Sequence, residues 1–380
     1  MKIVFLSDDF PPQSFGGAGI STYDLALGMK KAGQEVFVIT TCRKESEAEE
    51  VDYNGLKVFK IASDYPARWR AYVSLYNRPV IRKLEKILRS INPDVIHVNN
   101  VHHYLSYHSI KLAKTYSKAT VVTLRDAMSF SFGKLKTEKY LKNFDAHLTW
   151  LDQLKQARKR WNPLRNFFIK RYLGYADKLF AVSDALKKAL EQNGIKNVEV
   201  VHTGIDLSEY PTSYNGQNKK TILFAGRLSG AKGARVVEEV MKIISKEMPD
   251  VELLTAGTNG KWLDREEMKE TYAATSVVIV PSVCFDALPR TVLEASASGR
   301  PVISTPYGGA KEVIEDGITG YIVDPFKTDE LAEKILDLLK NPEKAEKFGK
   351  AGHERVKTAF NLDEKIKYIL TCYYREFGIK

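Results

Sequence analysis

The chain has 380 residues, 44% of them hydrophobic, and 58 Lys and Arg against 47 Asp and Glu give it a net charge of +11. That length is too great for a single core and predicts two domains of roughly 150–200 residues each. No apolar run reaches the ~18 residues of a membrane span, and MKIVFLSDDFPP reads as a first strand, not a signal peptide. Three cysteines, Cys42, Cys284 and Cys372, have no metal or redox spacing, which argues against a disulfide scaffold and for a reducing cytoplasm.

In chain order, short apolar runs alternate with amphipathic helical patterns, the mark of a parallel α/β architecture. Strands are expected at KIVFLS, EVFVITT, DVIHVNN, ATVVTLRD, KLFAVS and VEVVHTG in the first half. The polar, turn-rich stretch 206–220 follows as a linker. TILFAGRL, VELLTAG, SVVIVPS, PVIST and GYIVDP are the strands of the second half, and helices are expected at 328–340, 343–358 and 362–376. The pattern is that of two doubly wound, Rossmann-like domains with a cleft between them, covering residues 1–205 and 206–361.

Ligands of such sheets bind at the carboxyl ends of strands. After the first strand, PPQSFGGAGIS carries Gly16, Gly17 and Gly19, which permit close backbone approach where a helix N-terminus offers N–H groups to a phosphate; glycines also simply make turns. In FAGRLSGAKGA, Arg227 and Lys232 flank a small-residue loop before a helix. They suit a diphosphate, Arg bidentately and Lys as a point charge, or are ordinary solvated ends. In FDALPRTVLEASASGRPVIST, Pro289 fits the first turn of a helix, Asp286 lies in the loop before it and Glu294 on its second turn. Both carboxylates could then face one cleft, or Glu294 could be a surface residue of a capped helix.

The positive charge is uneven. Residues 56–90 hold nine Lys and Arg against two acids, and residues 134–171 hold eleven against three, both interleaved with aromatics such as Trp69, Tyr72, Trp150 and Phe167. Such stretches suit an anionic membrane surface or an acidic acceptor, or they are solvated helix faces with snorkelling stems. No nucleic-acid recognition module is present.

Taken together, PPQSFGGAG, DVIHVNN, AVS, HTGID, GRLSGAKG, FDALPRTVLEA, GRPVIST, GGAKEVI and DGITGYIVD resemble, in order and over nearly the whole chain, the retaining glycosyltransferases of family four. The resemblance implies the GT-B fold, with a C-terminal helix (362–380) returning to the N-terminal domain, the acceptor on that domain and the nucleotide sugar on the other. It implies that Glu294 holds the ribose hydroxyls, that Asp286 sits beside the sugar with Leu288 and Pro289 at the donor, and that Arg227 and Lys232 grip the diphosphate. It also implies that Gly16 and Gly17 approach the same phosphates, and that neither metal nor cofactor takes part. Asp286 is one methylene shorter than the family's glutamate, which favours a sugar-hydroxyl ligand over a nucleophile.

Two departures stand out. Arg125 and Asp126 occupy the place of the family's HD pair; an arginine cannot act as a base but can bind phosphate or an acidic sugar. His102 and His103 could reach the acceptor, whereas His97 reads as a core residue. The connection through residues 253–282 is short and lacks a strand and loop that, in the family it resembles, help cradle the base. The expected protein is a cytoplasmic hexosyltransferase, free or peripheral on the inner face of the membrane, that moves a sugar to a glycan, lipid-linked or other hydroxyl acceptor, as in cell-surface polysaccharide or glycolipid synthesis. Another GT-B enzyme, such as a sugar-nucleotide epimerase, and a non-catalytic sugar-nucleotide-binding partner are the alternatives.

Overall fold

The computed structural model describes residues 1–13, 16–210, 212, 220–225, 230–256 and 263–379. They form two units, one of residues 1–133, 145–204 and 362–380, the other of residues 134–144 and 205–361.

The first unit is built on strands β1 (Lys2–Ser7), β2 (Glu35–Cys42), β3 (Glu50–Tyr53), β4 (Leu56–Ala62), β5 (Val95–Asn100), β6 (Ala119–Leu124), β7 (Lys178–Ala181) and β8 (Val198–Val200). Their order is β3-β4-β2-β1-β5-β6-β7-β8, and every pair is parallel except β3 with β4. The chain winds outward from β1 in one direction and from β5 in the other. The ends of those two strands therefore form the crevice where a doubly wound sheet takes a ligand. Near-continuous apolar runs make these strands because both faces are covered. Phe5, Val38, Val95 and Val121 pack with Met29 of helix Gly17–Lys31 and with Ile366 and Tyr373 of helix Leu362–Phe377.

The β3–β4 hairpin was not among the expected strands. It turns at Asn54 and Gly55, whose φ angles of 52° and 78° suit the Asn-Gly pair of a two-residue hairpin turn. His97 is fully buried, with Nε2 2.7 Å from Thr123 Oγ1 and Nδ1 2.6 Å from Tyr373 Oη. Burial pushes its pKa down to about 3, the core role read from sequence.

The second unit holds β9 (Thr221–Ala225), β10 (Glu252–Ala256), β11 (Val277–Val280), β12 (Val302–Ser304) and β13 (Gly320–Ile322), all parallel in the order β10-β9-β11-β12-β13. Its crevice lies at the ends of β9 and β11. Helices Ala234–Glu247 and Thr328–Lys340 pack on one face and helix Arg290–Ala297 on the other, while helix Pro342–Ala359 contributes Ala345 and Phe348 to the first cluster and Val356 to the second.

One boundary differs from the expectation. Residues 134–144, taken with the first domain, belong to the second unit. Tyr140 packs its ring 5.6 Å from Phe285 and 6.2 Å from Tyr307, and the Phe285 N–H donates to the Leu135 carbonyl at 2.9 Å. Aromatic burial, not chain proximity, decides where this segment sits. Among the described residues, no helix is long and apolar enough to cross a membrane.

Candidate functional site

In the second unit the loop after β11 carries Ser282 and Asp286, and the short turn Gly230–Lys232 brings Lys232 beside them. Lys232 Nζ lies 2.5 Å from Asp286 Oδ2, to which Ser282 Oγ also donates at 3.3 Å. Burial pushes the Asp286 carboxyl up, but Lys232, Lys134 and the Ser282 hydroxyl outweigh it and hold the group below the usual carboxylate range.

Two glycines make this approach possible. Gly233 has φ +84°, and a Cβ there would stand 2.0 Å from the Pro281 carbonyl oxygen; Gly308 has φ +115°, and a Cβ would stand 1.9 Å from that of Asp286. Gly309 N–H then donates to the Asp286 carbonyl at 3.0 Å, fixing the loop from the neighbouring strand.

Helix Arg290–Ala297 begins one residue after Pro289, which takes the capping position with φ −68° instead of the first helical turn. Leu288 is half-buried against the core beneath. Glu294, one turn into the helix, is engaged at both oxygens. Oε1 accepts from Arg290 Nε at 2.6 Å and from Tyr210 at 3.3 Å, and Oε2 accepts from Tyr272 at 3.0 Å. An ionised carboxylate has about four acceptor sites, so this harness orients Glu294 and leaves acceptor capacity for hydroxyl donors. The surface-glutamate alternative fails, since its side chain is only 14% exposed.

Arg227 and the start of its loop lie outside the described residues, as do residues 257–262, where the base cradle was expected to be short. Lys134, which the sequence reading counted only as bulk charge, acts on both Asp286 and Cys284 and adds a cation to the Lys232 site. Nothing local in the sequence signals this, because the approach depends on the Tyr140 packing.

In the first unit, Gly16 caps helix Gly17–Lys31 directly after the crevice turn; Ser14 and Phe15 lie outside the described residues. A small polar cleft opens at the ends of β5 and β6, lined among others by Asn99, His102, Tyr107, Arg125, Asp126 and Ser129. Arg125 donates to Asn99 Oδ1 from Nε at 3.2 Å and Nη2 at 3.0 Å, and from Nη1 to Thr203 at 3.1 Å. Asp126 caps Met128 N–H at 2.8 Å, and its other oxygen lies 3.5 Å from His102 Nδ1. Burial, with Arg70 and Arg165, holds His102 below its ordinary pKa against the pull of Asp126. Asn99 Nδ2 and Ser129 Oγ are buried and have no hydrogen-bond partner among the described residues, donors of the kind a bound polar ligand satisfies.

His103 does not line the cleft. Its ring stacks 3.9 Å from Tyr104, and burial beside Arg70 pushes its pKa down to about 3. It serves through its backbone. The N–H groups of His103, Tyr104 and Leu105 all donate to Asp8, at 2.7, 2.8 and 2.7 Å, and pin the loop that carries His102. Asp8 was not anticipated. Burial and Asp9 push its carboxyl up to about 7 against those three donors.

A pair of doubly wound parallel units with a cationic loop at one crevice and a polar cleft at the other is the architecture of GT-B glycosyltransferases. Over its whole length the chain superposes on sucrose-phosphate synthase from Thermosynechococcus elongatus with a TM-score of 0.78 at 18% identity, covering 99% of that protein. HepE from Anabaena, solved in complex with UDP and glucose, matches over 99% of the chain and 100% of its own with a TM-score of 0.71 at 18% identity. Residues 15–209 match the model of glycosyltransferase family 4, and residues 260–355 that of glycosyl transferases group 1. The chain belongs to glycosyltransferase family 4. Among characterised relatives, spore coat protein SA of Bacillus subtilis is 27% identical over 46% of the chain, and the match spans 58% of that relative. The glycogen synthase of Mycobacterium tuberculosis is 23% identical over 95% of the chain and 91% of its own length.

Proposed function

We propose that the protein transfers a sugar from a nucleotide-diphosphate sugar to an acceptor hydroxyl with retention of anomeric configuration. The observation that carries this is the Lys232–Asp286 pair, with Lys134 near, at the crevice of the second unit. Lys232, with Arg227 and Lys134, would hold the diphosphate and stabilise the negative charge that grows on it as the glycosidic bond breaks. These cations supply what a metal ion would, so the reading requires none. Glu294, oriented by Arg290, Tyr210 and Tyr272, would accept from the ribose hydroxyls.

Asp286 is bound by Lys232 and Ser282, which suits a ligand of sugar hydroxyls more than a nucleophile. Retention would then come from attack on the face the diphosphate leaves. The acceptor oxygen bonds to the anomeric carbon, the phosphate oxygen departs with the bonding pair, and that oxygen takes the acceptor proton. The first unit's cleft, with donors on Asn99, Ser129 and Arg125, would receive the acceptor, a glycan or lipid-linked alcohol of cell-surface polysaccharide or glycolipid synthesis. HepE was solved with UDP and glucose, which supports a uridine nucleotide.

Calorimetric titration with UDP, ADP and GDP, followed by NMR of the product anomer, tests the proposal. One tight nucleoside diphosphate and a retained product are expected. No binding to any of them, or an inverted product, overturns it. Epimerisation of the sugar nucleotide without acceptor would point to the alternative GT-B enzyme.

A further inference from the structure

The two basic, aromatic stretches lie far apart in sequence, but in the first unit they form one surface. Tyr72 donates to the Trp161 carbonyl at 2.8 Å, and Asn162 Nδ2 to the Ala71 carbonyl at 2.9 Å. Trp161 meets Trp150 at 6.4 Å between rings, and Asn166 Nδ2 donates to Gln153 at 3.0 Å, tying helix Trp150–Ala157 to helix Arg165–Leu173. At the far end Tyr76 packs on His108, which packs on Tyr172 of that second helix.

Helix Arg165–Leu173 buries Arg165, Ile169 and Leu173 and turns Phe167, Phe168, Lys170 and Arg171 outward. That is the reverse of the polar face expected on a helix facing water. Around it Trp150 is 62% exposed, Phe167 60%, Leu164 57% and Trp69 50%. Arg68, Lys155, Arg158 and Lys159 are exposed among them. Of the acids in these stretches, Asp152 is engaged in capping its own helix with Thr149.

We propose that this surface settles on an anionic lipid bilayer. A soluble partner of purely polar, acidic chemistry would pair the cations but leave the exposed Trp, Phe and Leu side chains in water. A bilayer interface takes both, with rings at the headgroup level and basic ends on anionic phosphates. The lysines of residues 134–144 belong to the second unit and are not counted in this surface.

Sedimentation with vesicles of phosphatidylcholine, with and without phosphatidylglycerol, tests this independently of the donor reading. The chain should pellet with phosphatidylglycerol vesicles at low salt, pellet little with phosphatidylcholine alone, and return to the supernatant as salt rises. Tryptophan emission should shift to the blue on binding. Phe167→Ser with Trp150→Ser, and separately Arg158→Gln with Lys159→Gln, should each weaken vesicle binding roughly tenfold. UDP titration of the same variants should be unchanged, which separates a lost surface from a lost fold. The proposal is overturned if the parent chain stays in the supernatant with phosphatidylglycerol at low salt. It is overturned equally if the Phe167/Trp150 variant binds as well as the parent, which would leave a screened charge contact without rings settled in the interface.

Discussion

Replacing Asp286 with asparagine should tighten nucleoside diphosphate binding while impairing sugar transfer. Lys232 is paired with Asp286 at 2.5 Å, the two side chains being 32% and 22% exposed. A diphosphate must share Lys232 with that carboxylate and is repelled by it. Two unit charges 4 Å apart interact by about 4 kcal/mol at the effective dielectric of a protein surface and about 1 kcal/mol in bulk water. With a quarter to a third of each side chain in solvent, screening leaves roughly 1–2 kcal/mol for Asn to release. At 1.4 kcal/mol per tenfold, the UDP dissociation constant should fall roughly five- to thirtyfold. Lys232→Ala should move it the other way by about 2 kcal/mol or more, the scale of charge-assisted contacts. Because Lys232 and its neighbours hold Asp286 ionised against burial, the Asn advantage should be flat through neutral pH. Calorimetric titration of UDP into parent, Asp286→Asn and Lys232→Ala reads all of this, with turnover measured alongside. Unchanged or weaker binding by a folded Asp286→Asn protein would refute the shared-cation argument.

Lys134→Ala should weaken the same titration by about 0.5–1 kcal/mol, as befits an exposed cation acting across solvent; no change would remove residues 134–144 from the donor site. Glu294→Ala removes the carboxylate from a mostly buried ion pair, Arg290 being 8% exposed. Breaking such a pair should cost about 3 kcal/mol, read as a lower urea midpoint of the second unit, and an unchanged midpoint would show the pair to be idle. His97 has a folded pKa near 3, against 6.5 for an unperturbed histidine, so the unfolded chain binds the extra proton between those values. Its contribution is complete above pH 6.5 and is lost as pH falls toward 3. The melting temperature of His97→Gln should therefore fall less steeply over that window, and parallel curves would contradict the assignment.

The strands that build both crevices were legible because each is a short apolar run followed by a turn, a pattern that parallel burial enforces. The hairpin was overlooked for a physical reason. β3 is an edge strand whose residues are exposed or half-buried, and residues 56–90 read first as charge. Its signal was nonetheless present in Asn54-Gly55. Glu294 was found from its place on a helix, but Tyr210 and Tyr272, which orient it, come from distant segments that no spacing connects. Asp8 shows the same limit. It is one acid after a strand until residues 103–105 fold over and supply three N–H groups. Lys134 was hidden by an aromatic contact between Tyr140 and Phe285 that only the folded second unit provides.

The helix Leu362–Phe377 has a bearing on how the chain is made. Ile366 fills the space beside Gly28 that a Cβ would need, and Tyr373 is fully buried as the partner of His97. The first unit thus draws part of its core from residues synthesised more than 150 positions after the rest of it. Domains of a nascent chain usually close in the order they emerge, but here the sheet translated first must wait for the helix that follows the whole second unit. The second unit has all its strands once residue 322 has appeared. A ribosome that stalls between residues 322 and 362 would hold out a first unit with Phe5, Met29 and Val38 uncovered along one open groove, a natural handhold for a chaperone.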